Sequence, residues 1–203
     1  MAEREQAPPG VDVIFRLEGT SLPSDHAEAL ARAVAKWLPW LADEPAAGIH
    51  PLRTAPTTGG MVLLARRARL LLRMPAHRVE ASMALSGRTL DVGEGLSTGS
   101  GEARELSPSS TLYSGRVASE APDERAFHEE VAGWLESAGV RCELISGRAR
   151  RLAVGGRAIA AFGLALHGLA PGDSLRIQSE GIGPHRRLGC GIFVPHKAIA
   201  VSD

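Results

Sequence analysis

A strand pattern followed directly by a helix pattern occurs twice in this sequence. Residues 11–17 alternate between apolar and polar side chains, which is the period of a half-buried strand, and residues 27–41 place apolar side chains at helical spacing. The same order returns in Thr111 to Ala118, a strand pattern, and in Asp123 to Ala138, a helix pattern followed by Gly139. A chain that repeats strand and helix in this way is expected to form two related α+β units.

The remaining segments of the first half complete a βαββαβ order. Two apolar runs, Met61 to Ala65 and Arg69 to Met74, predict short buried strands joined by a tight turn. A short helix carrying Val79 and Met83 follows, and Arg88 to Gly93 predicts a last strand. This order is that of the split ferredoxin-like unit.

The second half repeats this order in part. Residues 94–110, rich in Gly, Ser and Glu, predict a connection between the units. Leu144 to Val154 and Arg157 to His167 predict a hairpin, because the two glycines between them supply the positive φ angles that tight turns need. Asp173 to Glu180 and Gly191 to Pro195 predict further strands of the same sheet.

These patterns predict an α+β protein of tandem ferredoxin-like (RRM-like) domains. We expect a regular unit in residues 1–100 and a modified unit in residues 101–203, and a hydrophobic content of 44% is enough to form their cores. No apolar run is long enough to cross a bilayer, so no membrane partner is expected. Cys142 and Cys190 form no CxxC pair, which suits a cytoplasmic protein better than a disulfide scaffold.

Charge is unevenly distributed, although the formal net charge is zero. Residues 1–60 hold five Lys/Arg against eight Asp/Glu, whereas residues 141–203 hold nine against four. Of the 23 basic residues, 21 are arginine, whose planar guanidinium binds phosphate through two hydrogen bonds; a GC-rich genome would produce the same bias. The distribution excludes a uniformly basic nucleic-acid binder and favours a local cationic surface.

Three motifs carry a resemblance to one known family. They are "LPSDHAEAL", with an Asp-His at the start of the first helix, "GIHPLR" after that helix, and "GIGPHRRLGCGIFVPHK" near the carboxyl end. Together with the paired ferredoxin-like pattern, they resemble the Cas6 family of CRISPR-associated repeat-RNA endoribonucleases, in its Myxococcus-type branch, over residues 11–197. Relatives usually carry Gly and Tyr directly after the Asp-His, where this chain has Ala27 and Glu28.

The resemblance implies a metal-independent endoribonuclease without a cofactor. Such an enzyme cuts precursor CRISPR RNA within a repeat stem-loop, and many members stay bound to the product and join other subunits of an interference complex. The cut uses the neighbouring 2′-hydroxyl and leaves a 2′,3′-cyclic phosphate, so the protein must supply a base, a proton donor and cations. The spacing of the His and Cys residues matches no usual zinc motif, and no metal site is expected.

His26 is the candidate catalytic residue. Imidazole can exchange a proton near neutral pH, and the first turn of a helix tends to keep it neutral and therefore basic. His26 lies in such a turn, at the border of the apolar stripe of the first helix. The alternative is a structural histidine that closes the end of the core.

Two segments are predicted to bind RNA. The glycine-rich segment would bring backbone N–H groups close to a phosphate; a glycine-rich hairpin between two strands is the alternative. Arginines on the hairpin, with Arg148 and Arg150 on one face and Arg151 on the other, would follow the phosphates of an A-form stem, or would be solvated strand positions. The predicted RNA-binding residues are Arg148, Arg150, Arg151, Gly181, Gly183, His185, Arg186, Arg187, Gly189, Gly191 and Lys197.

Two other functions stay open on the sequence alone. The same scaffold could hold guide RNA in a CRISPR effector complex with slow cleavage or none, or it could be a ferredoxin-like RNA-binding module with unrelated targets. The outward residues of the first strand, which include Asp12 and Arg16, contain no aromatic side chain, so base stacking on that sheet is not expected.

Overall fold

The computed structural model describes residues 10–197, which form antiparallel sheets and helices. The α-helices are α1 (Ala27–Trp37), α2 (Val79–Ser82), α3 (Glu124–Ala138) and α4 (Pro171–Glu180). The strands are β1 (Gly10–Glu18), β2 (Ser21–Pro23), β3 (Gly48–Ile49), β4 (Thr54–Pro56), β5 (Met61–Leu64), β6 (Arg69–Pro75), β7 (Thr89–Leu90), β8 (Leu96–Glu105), β9 (Thr111–Ser119), β10 (Glu143–Val154), β11 (Arg157–His167) and β12 (Val194–Pro195). No helix in this range is both long and apolar enough to span a membrane.

The chain divides into two compact units. The first unit comprises residues 10–106 together with Arg186–Gly189, and the second comprises residues 107–185 and 190–197. Each unit has its own buried apolar cluster, one drawn from residues 13–96 and the other from residues 112–193. Each cluster is the core of a separate α+β unit.

A five-stranded sheet with the order β3-β6-β1-β8-β7 forms the centre of the first unit. Val13, Phe15 and Leu17 of β1 are buried in the core as predicted, but Asp12, which was expected to face outward, is only 2% exposed. Leu30 and Val34 of α1 join the same cluster, because residues four apart share one face of a helix. Four strands of this sheet lie in the order β8-β1-β6-β3. The central two are β1 and β6, which come first and third along the chain, and this is the predicted ferredoxin-like arrangement.

Residues 61–64 and 69–75 form strands, but the predicted hairpin between them is wrong. Strand β5 pairs with β2 and β4 in a separate three-stranded sheet, whereas β6 pairs with β1 and β3. The second strand of the ferredoxin-like unit is therefore β3, which opens the "GIHPLR" segment. Burial explains why β3 takes the place that was predicted for β5. Ile49 of β3 is buried in the core, while the side chains of β5 are half-buried or exposed.

The predicted connection at residues 94–110 contains β8, the fourth strand of the ferredoxin-like sheet. The predicted last strand at Arg88–Gly93 supplies only the short edge strand β7. Glycine and serine are typical of linkers, but Gly101 pairs with Phe15, and a Cβ at Gly101 would lie 2.6 Å from the Phe15 ring. A buried aromatic ring thus requires glycine within this strand.

The second unit has a four-stranded sheet with the order β10-β11-β9-β12. Phe127 of α3 stacks on Phe162 of β11 in its core, with ring centroids 4.4 Å apart. Helix α3 begins where the Asp123 carboxylate accepts a hydrogen bond from the N–H of Ala126 (2.8 Å), and it ends at Gly139 in the left-handed conformation. Both ends of α3 lie where the sequence predicts them.

The strand predicted for Asp173 to Glu180 is wrong, because this segment belongs to helix α4. The buried side chains of this helix are Ser174, Ile177 and Gln178, which lie at helical spacing. Pro171 at the first helical position is the start signal that the strand prediction overlooked. The second unit therefore has the regular βαββαβ order, and the first unit carries the addition, the sheet of β2, β4 and β5.

Candidate functional site

His26 lies immediately before α1, at the predicted helix start. Its main-chain carbonyl accepts a hydrogen bond from the N–H of Leu30 (2.8 Å), and its φ and ψ of −62° and −9° are already helical. The side chain is half-buried. It is therefore not sealed in the core.

One hydrogen bond determines which ring nitrogen of His26 is basic. Nδ1 lies 2.7 Å from the carbonyl oxygen of Pro23. A carbonyl oxygen can only accept a hydrogen bond, so Nδ1 carries the hydrogen and donates it. In the neutral ring, Nε2 then has the free lone pair and is the nitrogen that can take up a proton.

Backbone contacts hold the Pro23 carbonyl in place. Pro23 ends β2, which pairs with β5, and the N–H of Ser24 donates to the carbonyl of Gly60 (2.8 Å). Gly93 packs against the same strand with a φ of +60°, and a Cβ there would lie 2.9 Å from a carbonyl oxygen of β2. The three-stranded sheet thus positions the acceptor that orients His26.

The glycine-rich segment connects α4 to β12, so the alternative of a hairpin between two strands is wrong. The predicted glycines have positive φ angles of 63° to 83°: Gly181, Gly183, Gly189 and Gly191. A Cβ would lie 2.9 Å from a carbonyl oxygen of β9 at Gly183 and 3.0 Å from Pro51 at Gly189, and it would clash with the Ile182 backbone at Gly191. The folding of the chain itself therefore requires glycine at these three positions, and their contacts with RNA stay a prediction.

The three basic residues of this segment differ in exposure. His185 is exposed and has a positive φ of 66°, which is uncommon for a residue with a side chain. Arg186 is 7% exposed, and its Nη2 donates to the carbonyl of Ala46 (3.1 Å). Arg187 is exposed, and its Nη1 donates to the carbonyl of Ala42 (3.2 Å). Arg187 and His185 thus offer more surface to a phosphate than Arg186 does.

Strands β10 and β11 form the predicted hairpin, and Gly155 and Gly156 in its turn have φ angles of 56° and 76°. Consecutive residues of β10 project to opposite faces of the sheet, so Arg150 and Arg151 point in opposite directions, as predicted. The side chains predicted to bind RNA in this unit's hairpin and after β12 are all exposed: Arg148, Arg150, Arg151 and Lys197.

A buried charged cluster in the first unit was missed by the sequence patterns. Asp12 on β1 and Arg73 on β6 are register partners and are 2% and 1% exposed; His50, next to β3, is 7% exposed. Nε and Nη2 of Arg73 donate to the two carboxylate oxygens of Asp12 at 2.8 and 2.9 Å. Nε2 of His50 lies 3.2 Å from Oδ1 of Asp12. The only sequence signal was a charged residue inside each of two apolar strands.

The charges of this cluster follow from its burial and hydrogen bonds. Burial lowers the pKa of His50, and the charge of Arg73 lowers it further, although the hydrogen bond to Asp12 opposes this. Burial alone would raise the pKa of Asp12, but hydrogen bonds from His50 and Arg73 and the Arg73 charge hold it well below its usual range. The cluster is therefore an ion pair of Asp12 and Arg73 with a neutral His50.

Within residues 10–197, no group of three or more His, Cys, Asp or Glu side chains is placed to hold a metal ion. Cys142 and Cys190 are free thiols, and burial raises the pKa of Cys190 to about 11. A thiol with that pKa is protonated near neutral pH and is a poor nucleophile. The expectation of a reaction without metal or cofactor stays a prediction.

Comparisons with known proteins identify the family. The family model described as Cas6 Crispr matches residues 11–198. The CRISPR-associated endonuclease Cas6 of Myxococcus xanthus (strain DK1622) is 35% identical over 187 residues, which cover 91% of this chain and 81% of that protein.

Two solved structures share the fold at low sequence identity. A CRISPR associated protein Cas6 has a TM-score of 0.67 at 12% identity and covers 93% of this chain and 99% of its own. The product of a Cas6-related gene from Pyrococcus furiosus has a TM-score of 0.62 at 14% identity and covers 95% of this chain and 100% of its own. They support the tandem ferredoxin-like fold. On the family model and the Myxococcus relative, this chain belongs to the Cas6 family.

Proposed function

We propose that this Cas6 family protein is the endoribonuclease that cuts precursor CRISPR RNA within its repeats, with His26 as the general base. The hydrogen bond from Nδ1 of His26 to Pro23 (2.7 Å) carries the proposal, because it leaves the lone pair on Nε2 of a half-buried ring at a helix start. Family membership supports CRISPR repeat RNA as the substrate class. The hydrogen bond to Pro23 supports His26 as the base that begins the reaction.

The reaction requires no group beyond those of RNA and protein side chains. Nε2 of His26 takes the proton of the 2′-hydroxyl, and the 2′ oxygen forms a bond to the adjacent phosphorus while the bond to the leaving 5′ oxygen breaks. A second donor protonates the leaving oxygen. The products are a 2′,3′-cyclic phosphate and a 5′-hydroxyl, and DNA cannot react because it lacks the 2′-hydroxyl.

The exposed arginines supply the sequence-independent part of RNA binding. Arg148, Arg150 and Arg151 lie on a hairpin, where they can contact successive phosphates of an A-form stem. Arg187 and Lys197 add two exposed cations from the carboxyl end. Arg186 has a structural role in this proposal, since its buried guanidinium donates to Ala46.

A paired substrate experiment tests the chemistry. Purified protein is incubated in EDTA with labelled repeat RNA, and in parallel with the same RNA in which a hydrogen replaces the 2′-hydroxyl next to the cut. We expect cleavage of the first RNA only, with a cyclic phosphate on the 5′ product detected by mass spectrometry. Cleavage that needs a divalent ion would contradict the mechanism, and tight binding without cleavage would show a guide-RNA-binding subunit instead.

The same assay with substrate in excess tests product retention. We expect the protein to act in the cytoplasm, to keep the cleaved stem-loop bound and to deliver it to other subunits of an interference complex. Cleavage should therefore stop after a burst equal to the amount of protein. Sustained turnover at an undiminished rate would show that the product is released.

A further inference from the structure

The outer face of the second unit's sheet carries an aromatic pair. Leu112 of β9 is fully buried in the core cluster, so Tyr113, the next residue, projects to the opposite face of the sheet. His196 follows β12, the strand paired with β9, and its ring lies against Tyr113 with centroids 5.3 Å apart and an interplanar angle of 38°. Tyr113 is half-buried and His196 is exposed.

Three glycines leave bare backbone on the sheet near the Tyr113 side chain. Gly147, Gly163 and Gly115 lie on three neighbouring strands, at the point where the register of both strand pairs shifts. A Cβ would lie 3.5 Å from the Tyr113 hydroxyl at Gly163 and 3.8 Å from it at Gly115. These contacts involve the hydroxyl and the neighbouring ring carbons, so the outer end of the Tyr113 ring lies beside bare backbone.

Cationic and apolar side chains lie on the same face of the sheet as this aromatic pair. The shift in register places Arg148 next to Gly147, and Arg150 projects to the same outer face as Tyr113. Lys197 directly follows His196. Ile145, two strands from Tyr113 in the same row, is 52% exposed. The carboxylate of Glu143 lies on this face, at the opposite end of β10 from the arginines.

We infer that Tyr113 and His196 form a platform on which one unpaired base of the repeat RNA stacks, while Arg148 and Arg150 contact the flanking phosphates. The inference rests on the proposed function, which supplies the RNA. Aromatic side chains stack on bases of any identity, and bare backbone beside the ring leaves room for the planar base and its ribose. Within a stem-loop the bases of the stem are already paired, so the ligand is a base in the loop or in a single-stranded flank.

The test combines a protein change with an RNA change. Tyr113→Leu keeps apolar bulk and removes the π face, Tyr113→Phe keeps the ring, and His128→Ala alters an exposed histidine on α3 as a matched control. Each protein is titrated with repeat RNA and with a series in which one unpaired nucleotide at a time is abasic. Tyr113→Leu should weaken binding roughly 5- to 150-fold, and Tyr113→Phe and His128→Ala less than about threefold.

The abasic series separates stacking from general destabilisation. One abasic position should weaken binding to the wild-type protein to a similar extent and have no further effect on Tyr113→Leu, because both changes remove the same stack. Equal effects of every abasic position on both proteins would overturn the platform. If Tyr113→Leu does not fold, wild-type protein cross-linked to 4-thiouridine RNA decides instead: adducts on Tyr113 or His196 support the platform, and adducts only elsewhere overturn it.

The outcomes also distinguish this inference from the proposed function. If wild-type protein neither binds nor cuts repeat RNA, the proposed function fails. If it binds and cuts, and Tyr113→Leu binds with wild-type affinity while Arg150→Ala binds more weakly, only the stacking platform fails.

Discussion

The rings of His26 and His50 carry their hydrogens on opposite nitrogens. Nδ1 of His26 donates to a backbone carbonyl, whereas Nε2 of His50 donates to the carboxylate of Asp12. His26 is half-buried beside a helix start, and His50 is 7% exposed within an ion-pair cluster. The first ring can therefore exchange a proton with a ligand, and the second is a neutral structural donor.

Replacing His26 by Ala should slow repeat cleavage by about 10² to 10⁴, because the proton acceptor for the 2′-hydroxyl is lost. RNA affinity should change less than about twofold, since the proposed phosphate contacts come from other residues. Single-turnover cleavage and RNA titration measure the two effects separately. His128→Ala should cut at the wild-type rate, and wild-type cleavage by His26→Ala would leave His26 with the structural role considered above.

At the scale of the sheet, the pairing of β1 with β6 places Asp12 opposite Arg73 in a buried row. A buried ion pair stabilises a fold only while both partners remain, and removing one partner costs roughly 3–5 kcal/mol because the other charge is left buried. His50 completes the hydrogen bonding of the carboxylate as a neutral donor. We therefore expect the stability of the sheet to depend on the protonation state of His50.

We expect the first unit to lose stability as the pH falls below about 6.5, because the folded state holds the pKa of His50 below its ordinary value of 6.5. The unfolded chain binds a proton there that the folded chain excludes, so the free energy of unfolding falls by up to about 1.4 kcal/mol per pH unit. Asp12 affects the free energy of unfolding at lower pH. Because the folded state lowers the pKa of Asp12, its stabilising contribution is complete above its ordinary pKa of 3.8 and is lost as the pH falls further.

Denaturant unfolding from about pH 7.5 to about pH 5 measures this dependence. A Trp134→Phe background leaves Trp37 and Trp40, both in the first unit, as fluorescence reporters. His50→Gln keeps a neutral donor for Asp12 without a titrating ring, and its pH dependence should be weaker. The same pH dependence in both proteins would show that His50 does not control the stability of the sheet.

Over the whole chain, a net charge of zero conceals a cationic carboxyl-terminal part. Exposed arginines on β10 supply much of this positive charge. Strand β10 lies at the edge of its sheet, so its unpaired side is open to solvent or a ligand. Because phosphate contacts release condensed counterions, the number of such contacts can be read from the salt dependence of binding. If these arginines contact RNA as proposed, local charge rather than net charge governs the affinity.

Repeat-RNA affinity should fall steeply with salt, and Arg150→Ala should reduce the slope of log K against log salt by about 0.7 for a lost single-strand contact or about 0.9 for a lost duplex contact. Arg125→Ala is the matched control, because Arg125 is exposed on α3 and is ion-paired with Glu129 (3.8 Å). Titrations at four or more salt concentrations measure the slope. Identical slopes for wild-type protein and Arg150→Ala would remove this arginine from the RNA contacts.

Elements with local apolar periodicity could be predicted from the sequence: β1, α1, β9, α3 and the β10–β11 hairpin. Strand β8 could not, since Gly101 is explained by the Phe15 ring and the Met83 sulfur packed against it, which are distant in the sequence. The presence of β3, instead of β5, in the ferredoxin-like sheet depends on pairing between distant segments, which no local pattern encodes. In the site, the helix-start position of His26 was predictable, whereas the burial of Arg186 and of the Asp12 cluster follows from contacts across the fold.

The close contacts of Gly183, Gly189 and Gly191 with the chain's own atoms have a consequence for genetic screens. Substitutions there force side chains into occupied space, so they would lower the cellular abundance of the protein by exposing it to proteases. A screen scored only by repeat-RNA cleavage in cells would count such variants as defective in the reaction itself. Immunoblots of protein level would separate them from substitutions that spare abundance and remove a nucleic-acid contact.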